Sequence, residues 1–184
     1  MEKFCSSDKM VVISNVHYPK VDIAQVPDFQ QRRSALLFIG SKHLPNLDSV
    51  QFLHEEIMPR IWETNPEIEL HVIGDVNTLL DINHPKIKLL GHVPDITDYF
   101  LNSKLMVAPL RYGAGVKGKI GQAFEYYLPV VTSKIGAEGM QLIDGETVLL
   151  AETAKQFAEK ILLLYTDKAL WEKLHIQSEQ GLRP

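Results

Sequence analysis

Six short apolar runs, at residues 36–40, 68–74, 87–91, 105–108, 130–133 and 148–151, constrain the fold of this chain more than any other feature. Most are closed by glycine, proline or serine, and they are nearly continuous in hydrophobicity instead of alternating. Strands that read this way are buried on both faces, as in a parallel sheet covered by helices. Between the runs lie helical patterns over 47–64, 96–102, 117–127 and 154–165, with a further helix over 168–180. Strand alternating with helix predicts an α/β fold with a doubly wound parallel sheet flanked by helices. Asp95 and Asp167 stand where helix N-caps belong. Pro59 falls inside the first long helix and predicts a kink or break near Met58.

The first 33 residues do not share this rhythm. Residues 10–14 read as a lone strand, and 15–33 are polar, carry Pro19 and Pro27, and have no period. That stretch reads as an interdomain linker, with His17 solvated on it. The division expected is therefore 1–33, a strand and linker, and 34–184, the α/β domain.

With 184 residues the chain can bury a full core. A formal net charge of −4 argues against a general nucleic-acid binder. The single cysteine, Cys5, excludes an intramolecular disulfide. The N-terminus lacks the basic-then-apolar order of a signal peptide. No apolar run approaches the ~20 residues of a membrane helix. These features together read as soluble and cytoplasmic. Seven histidines are scattered without an HExxH-type pair, so no metal site is expected.

Chemistry concentrates in the block from Arg111 to Met140, RYGAGVKGKIGQAFEYYLPVVTSKIGAEGM. An apolar strand ends at Pro109, and the loop Gly113-Ala114-Gly115-Val116-Lys117-Gly118-Lys119 leads into a helix. Glycine lets the backbone approach a ligand, and the helix N-terminus offers unpaired N–H groups and a positive dipole end to an anion. Lys117 and Lys119 add charge there. Residues two apart on a helix diverge, so Lys119 is expected to face a phosphate and Lys117 the solvent. The plainer alternative is a tight strand–helix turn with incidental lysines. Glu138 lies on the loop after the next strand, either at the same cleft or capping a short helix. Trp62 and Trp171 fall in helical patterns and read as packing residues.

These motifs, together with LLFIGSKHLPNLDSV, IKLLGHVPDITDYFLNSKLMVAPL and DGETVLLAETAKQFAEKILLLYTDKALWEKL, resemble the C-terminal half of a group 1 (family 4) glycosyltransferase. The likeness runs from about Ser34 to Leu174. It implies the Rossmann-like C-terminal domain of a GT-B fold and a nucleoside-diphosphate sugar donor. It further implies a partner N-terminal domain that binds the acceptor and is missing from this chain, so that the domain alone transfers no sugar. Peripheral membrane contact of a full-length protein is compatible with that class, and no further cofactor is implied. In the family the donor base packs near the loop matched by Gly91, His92, Val93 and Pro94, and its diphosphate lies over the glycine loop. A pair of glutamates that touch sugar and ribose is matched here by Ala114 and Gln122, so neither carboxylate is present. The basic residues after the first strand are matched by Ser41 and Asn46, with Lys42, Lys117 and Lys119 available instead. The donor-binding set implied by loop and likeness is Gly40, Ser41, Lys42, His92, Val93, Arg111, Gly113, Ala114, Gly115, Lys117, Lys119, Gln122 and Glu138; no catalytic residue can be assigned. Retaining sugar transfer is the reaction implied. A degenerate domain that binds a nucleotide sugar or a partner protein without turnover is the alternative, and a GT-B sugar-nucleotide epimerase a more distant one.

Overall fold

The structure, a computed structural model, describes residues 17–182; the strand expected over 10–14 lies outside them. Six strands form one sheet: β1 (Arg33–Ile39), β2 (Glu69–Ile73), β3 (Ile87–Gly91), β4 (Ser103–Ala108), β5 (Val130–Thr132) and β6 (Leu149–Leu150). Their order is β3-β2-β1-β4-β5-β6, and every neighbouring pair is parallel. The chain starts at the centre, winds outward through β2 and β3, returns to β4, and winds the other way. Each apolar run became a strand, and the doubly wound sheet is the one the sequence predicts.

The continuous hydrophobicity has a direct cause. Successive side chains of a strand point to opposite faces. Leu36 and Phe38 of β1, Leu70 and Val72 of β2, and Leu105 and Val107 of β4 pack on one face. They meet buried residues of α1 (Leu44–Phe52), α2 (Met58–Trp62) and α6 (Ala154–Thr166). Leu37, Ile73, Met106 and Val130 fill the other face, with Phe100 of α3 (Thr97–Asn102) and Ile120 and Phe124 of α4 (Gly118–Glu125). Both parities are apolar because both faces are covered.

Pro59 does not interrupt the first helical rod as a simple kink. α1 passes into a π-helical turn, Leu53–Ile57, before α2 begins. Proline has no N–H for the carbonyl four residues back. The wider turn shifts the flanking bond, with the Met58 N–H reaching Leu53 O. Asp167 caps α7 (Lys168–Gln177), accepting the Leu170 N–H at 3.0 Å. The helix ends before the expected 180, and a 3-10 turn, Gln180–Leu182, follows. Asp95 is not the cap of α3, contrary to expectation: the helix begins at Thr97 with Ile96 in the cap position, and Asp95 accepts the Thr97 N–H at 2.9 Å from one residue further back. α6 carries a capping box, Thr153 with Gln156.

The polar segment 17–32 is mostly exposed but anchored to the domain near both of its ends. Arg32 is buried, its guanidinium 4.8 Å from the Trp171 ring centroid. It donates to Pro27 O at 3.1 Å, Phe100 O at 3.2 Å and Ser103 O at 3.1 Å. Burial lowers its pKa to about 9. Lys104, also buried, donates to Phe29 O. At the other end His17 Nδ1 pairs with Glu125 Oε1 at 2.9 Å, and the Lys20 N–H reaches Glu125 O at 2.8 Å. The His17 ring occupies the space a side chain at Gly121 would need: a Cβ there would lie 2.4 Å from its Cδ2. His17 is therefore a packed side chain, contrary to expectation. Hydrogen bonds to backbone and to a carboxylate hold the two ends of a polar segment in place, and hydrophobic periodicity cannot register them.

Among the described residues no helix is long and apolar enough to cross a membrane.

Candidate functional site

A crevice opens where a doubly wound sheet reverses, because the loops after the two central strands leave toward opposite sides. Here those strands are β1 and β4. The chain leaves β1 through Gly40 and Ser41 into α1, and leaves β4 through Pro109 into the glycine loop and α4. Between the two loops lies a cleft of about 250 Å³. His43, Pro45 and Asn46 line it from α1; Leu110, Tyr112, Gly113, Ala114, Lys117 and Lys119 line it from the other side. Both helices begin without a side-chain cap, at His43 and at Lys117. Two positive dipole ends thus border one cleft. The loop between β4 and α4 holds Gly113 at φ 131° and Gly115 at φ 76°, left-handed conformations that side chains resist.

Lys119 is the central cation. Its ammonium donates to Asn46 Oδ1 and lies 4.6 Å from the centroid of the Phe38 ring. Asn46 is itself oriented, with Nδ2 donating to Ser41 O at 3.0 Å. A chain of contacts from the end of β1 therefore positions the amine. No carboxylate lines the cleft. Burial first, and the neighbouring Lys117 second, push the pKa of Lys119 down to about 7. A phosphate beside it would restore the charge.

Lys117 does not project into solvent as expected. Its side chain is only 11% exposed; the ammonium donates to Gly115 O and lies 3.6 Å from Glu138 Oε2. The helical divergence argument fails because Lys117 is the non-helical cap residue, at φ −93° and ψ 88°. Glu138 closes the short helix α5 (Lys134–Ala137), which Ser133 caps by accepting the Gly136 N–H. Glu138 is thus an exposed carboxylate outside the cleft lining, bridged to the glycine loop through Lys117.

The other residues of the implied set disperse. Gly40 is buried at the end of β1, and Lys42 and His92 are exposed on the loops after β1 and β3, outside the cleft lining. Val93 packs partly against the core. Arg111 turns to α1, binding Asp48 Oδ2 at 2.9 Å and stacking 4.6 Å from the Phe52 ring centroid. The Asp48 carboxylate raises its pKa. Gln122, exposed on α4, lines a second cavity of about 410 Å³ with Pro94, Asp95 and His17. The structure therefore brings Gly113, Ala114, Lys117 and Lys119 together in one cleft, and joins Gln122 with the Pro94 loop in another.

The sequence places His43 on a cleft loop, as found, but sequence reasoning missed the contribution of Pro45 and of Asn46 as a partner of Lys119. It started α1 at residue 47, three residues late. Pro45 near the helix start, directly after a strand closed by Gly40, was the available signal. Nothing in the sequence marked Asn46 as the partner of a lysine 73 positions away. Among the described residues, no group of three or more His, Cys, Asp or Glu side chains could hold a metal ion.

Known proteins place the same architecture in context. A Klebsiella pneumoniae protein described as an uncharacterized 44.6 kDa protein in the cps region is 25% identical over 176 residues, covering 86% of this chain and 44% of its own length. TarM superposes with a TM-score of 0.71 at 18% identity, over 89% of this chain and 34% of TarM. A Staphylococcus aureus TarM mutant in complex with fondaparinux, alpha-GlcNAc-glycerol and UDP gives 0.69 at 17% identity, over 88% of this chain and 34% of its own. The C-terminal domain of the Francisella tularensis group 1 glycosyl transferase LpcC gives 0.66 at 18% identity, over 94% of this chain and 96% of that domain. The chain thus spans less than half the length of the curated relative and about a third of TarM. These structural likenesses establish the fold. The sequence profile of Glycosyl transferases group 1 matches residues 33–167, from the first residue of β1 to the cap of α7, and so takes in the switch point and both of its loops; the chain belongs to that family.

Proposed function

We propose that this chain is the donor-binding domain of a glycosyltransferase, holding a nucleoside-diphosphate sugar with its diphosphate in the cleft between β1 and β4. The observation that carries the reading is Lys119: a half-buried ammonium, held by Asn46, in a cleft without carboxylates and bordered by two helix N-termini. Buried charge without a counter-ion is costly, and a diphosphate supplies one. Gln122 and the Pro94 loop, sharing the second cavity on the same helix α4, suit the ribose and base. The UDP in the S. aureus TarM complex supports a nucleotide of this kind. In this reading residues 17–32 are the linker to an acceptor-binding domain, and the chain from 34 onward is the donor domain acting in the cytoplasm.

The chemistry at this half is electrostatic. As the bond from the anomeric carbon to the diphosphate breaks, negative charge grows on the leaving oxygen. Lysines and backbone N–H groups fixed beforehand stabilise it without reorganising. Transfer proceeds with retention, and the acceptor comes from the other domain, so the isolated chain transfers no sugar.

Ala114 and Gln122, where the family carries carboxylates, favour a second reading: binding without turnover. Calorimetric titration with uridine diphosphate tests the site. Lys117→Ala/Lys119→Ala should weaken binding by at least about tenfold, the loss of one to two charge-assisted contacts. Unchanged affinity in the folded double variant refutes the diphosphate site. Binding without transfer by a full-length protein carrying both domains selects the second reading.

A further inference from the structure

We propose that Lys119 is a nucleophilic amine, and that its cleft captures phosphorylated aldehydes as a Schiff base. The inference rests on the reading of this cleft as a phosphate site. Three features of the geometry carry it. The ammonium nitrogen is half-buried over the face of Phe38 and held by the neutral oxygen of Asn46, not by a carboxylate. Other lysines pair with carboxylates, Lys160 2.8 Å from Asp144 Oδ2, Lys155 3.8 Å from Glu159 and Lys168 3.4 Å from Glu172, and buried Lys104 is turned onto Phe29 O away from the cleft lining. The cleft, at about 250 Å³, admits a small molecule to the amine.

The charged and titratable groups facing Lys119 point the same way. They are Lys117 from the loop and His43 from the start of α1, and neither is an anion. Burial first, and Lys117 second, lower the amine's pKa to about 7, so the neutral nucleophile is abundant at physiological pH. An aldehyde bearing a phosphate would bring its anion to the helix N-termini while its carbonyl meets the amine.

The step balances without an outside oxidant. The nitrogen lone pair attacks the carbonyl carbon, the carbonyl π pair moves to oxygen, and a proton passes from nitrogen to that oxygen to give a carbinolamine. Loss of water forms the imine.

The test uses pyridoxal 5′-phosphate as the aldehyde, at substoichiometric amounts and pH 7.5, with borohydride supplying the hydride that reduces the imine to a stable secondary amine. Peptide mass spectrometry should find the adduct at Lys119 at least about tenfold above Lys155 or Lys168, since only Lys119 joins a lowered amine pKa to a phosphate-sized cleft. Pyridoxal without phosphate should label Lys119 less. Lys119→Arg, checked for folding by circular dichroism, should lose the preferred adduct. Adducts spread evenly over exposed lysines overturn the proposal. A parallel arm includes uridine diphosphate. Preferred labelling that the nucleotide fails to block leaves the reactive lysine standing and overturns the donor-site reading; preferred labelling that it blocks supports both.

Discussion

Replacing Lys119 by Met should stabilise the ligand-free protein near pH 6.5, while removing a contact the donor needs. The folded chain holds Lys119 at about 7, against an ordinary value of 10.5. Protonated, it costs the fold at most roughly 5 kcal/mol by linkage. Methionine keeps an unbranched stem over Phe38 and places a sulfur near the ring, a favourable contact. Against this, Asn46 Oδ1 loses its donor, worth about 1–3 kcal/mol if left unmet. The net expected gain is therefore about 2–4 kcal/mol, with burial the larger effect. The pH dependence fixes the cause. A lysine whose folded pKa lies below its unfolded one leaves the unfolded state with more bound protons from pH 7 to 10.5. Wild-type stability from this group is lowest below pH 7 and rises through that window. Between pH 7 and 9 the rise is about 2 kcal/mol, so most of the advantage of Met should be gone at pH 9. Urea unfolding of both proteins at pH 6.5, 8 and 9 measures it directly. A Met variant less stable than wild type at pH 6.5, or a difference that does not change with pH, would refute the reasoning.

The same titration governs binding: affinity for uridine diphosphate should hold steady near pH 7 and fall toward pH 9, by up to about tenfold per pH unit, with Lys119→Arg abolishing the slope in calorimetry. Gly121→Ala should expel His17 from α4, because the new Cβ would sit 2.4 Å from its ring. Amide exchange in residues 17–25 should then accelerate while exchange in β1 and β4 stays slow; protection of the segment in the variant would show that it is held elsewhere. Thr153→Ala removes the side chain that accepts the Gln156 N–H at 3.2 Å and should cost about 1 kcal/mol in chemical denaturation, a loss that Thr153→Ser should largely spare. Gln122→Ala should weaken nucleotide binding less than the loss of Lys119, since a neutral hydrogen bond is worth about half a charged one; an equal or larger loss would move the centre of recognition to the second cavity.

The sheet was legible because both parities of β1, β2 and β4 had to be apolar once both faces were covered. The glycine loop was legible because Gly113 and Gly115 do what few other residues can. What stayed hidden depends on long-range polar contacts. Arg32 reads as surface charge until Phe100 and Ser103 bring their carbonyls to it. Asn46 reads as a missing lysine until the real lysine arrives from α4. Lys117 was misjudged for a local reason: a helix cap does not obey helical directions. Arg111 looked available to a ligand because nothing in the sequence pairs it with Asp48, 63 positions earlier.

The docking of residues 17–32 has a consequence for synthesis on the ribosome. The segment is made early, yet its attachments come late: His17 must wait for Glu125, 108 positions on, and Arg32 for Ser103, 71 positions on. At about 5–20 residues per second, the first of these waits lasts roughly 5–20 s. Until Ser103 is made the nascent segment has neither of these anchors, and its N-terminal end stays without one until Glu125 follows; its polar composition suits the role. A segment that must remain hydrated before its partners exist cannot rely on an apolar stripe, which would seek cover sooner. The side chains that conceal the docking from a reader of the sequence also keep the young chain soluble until α4 is complete.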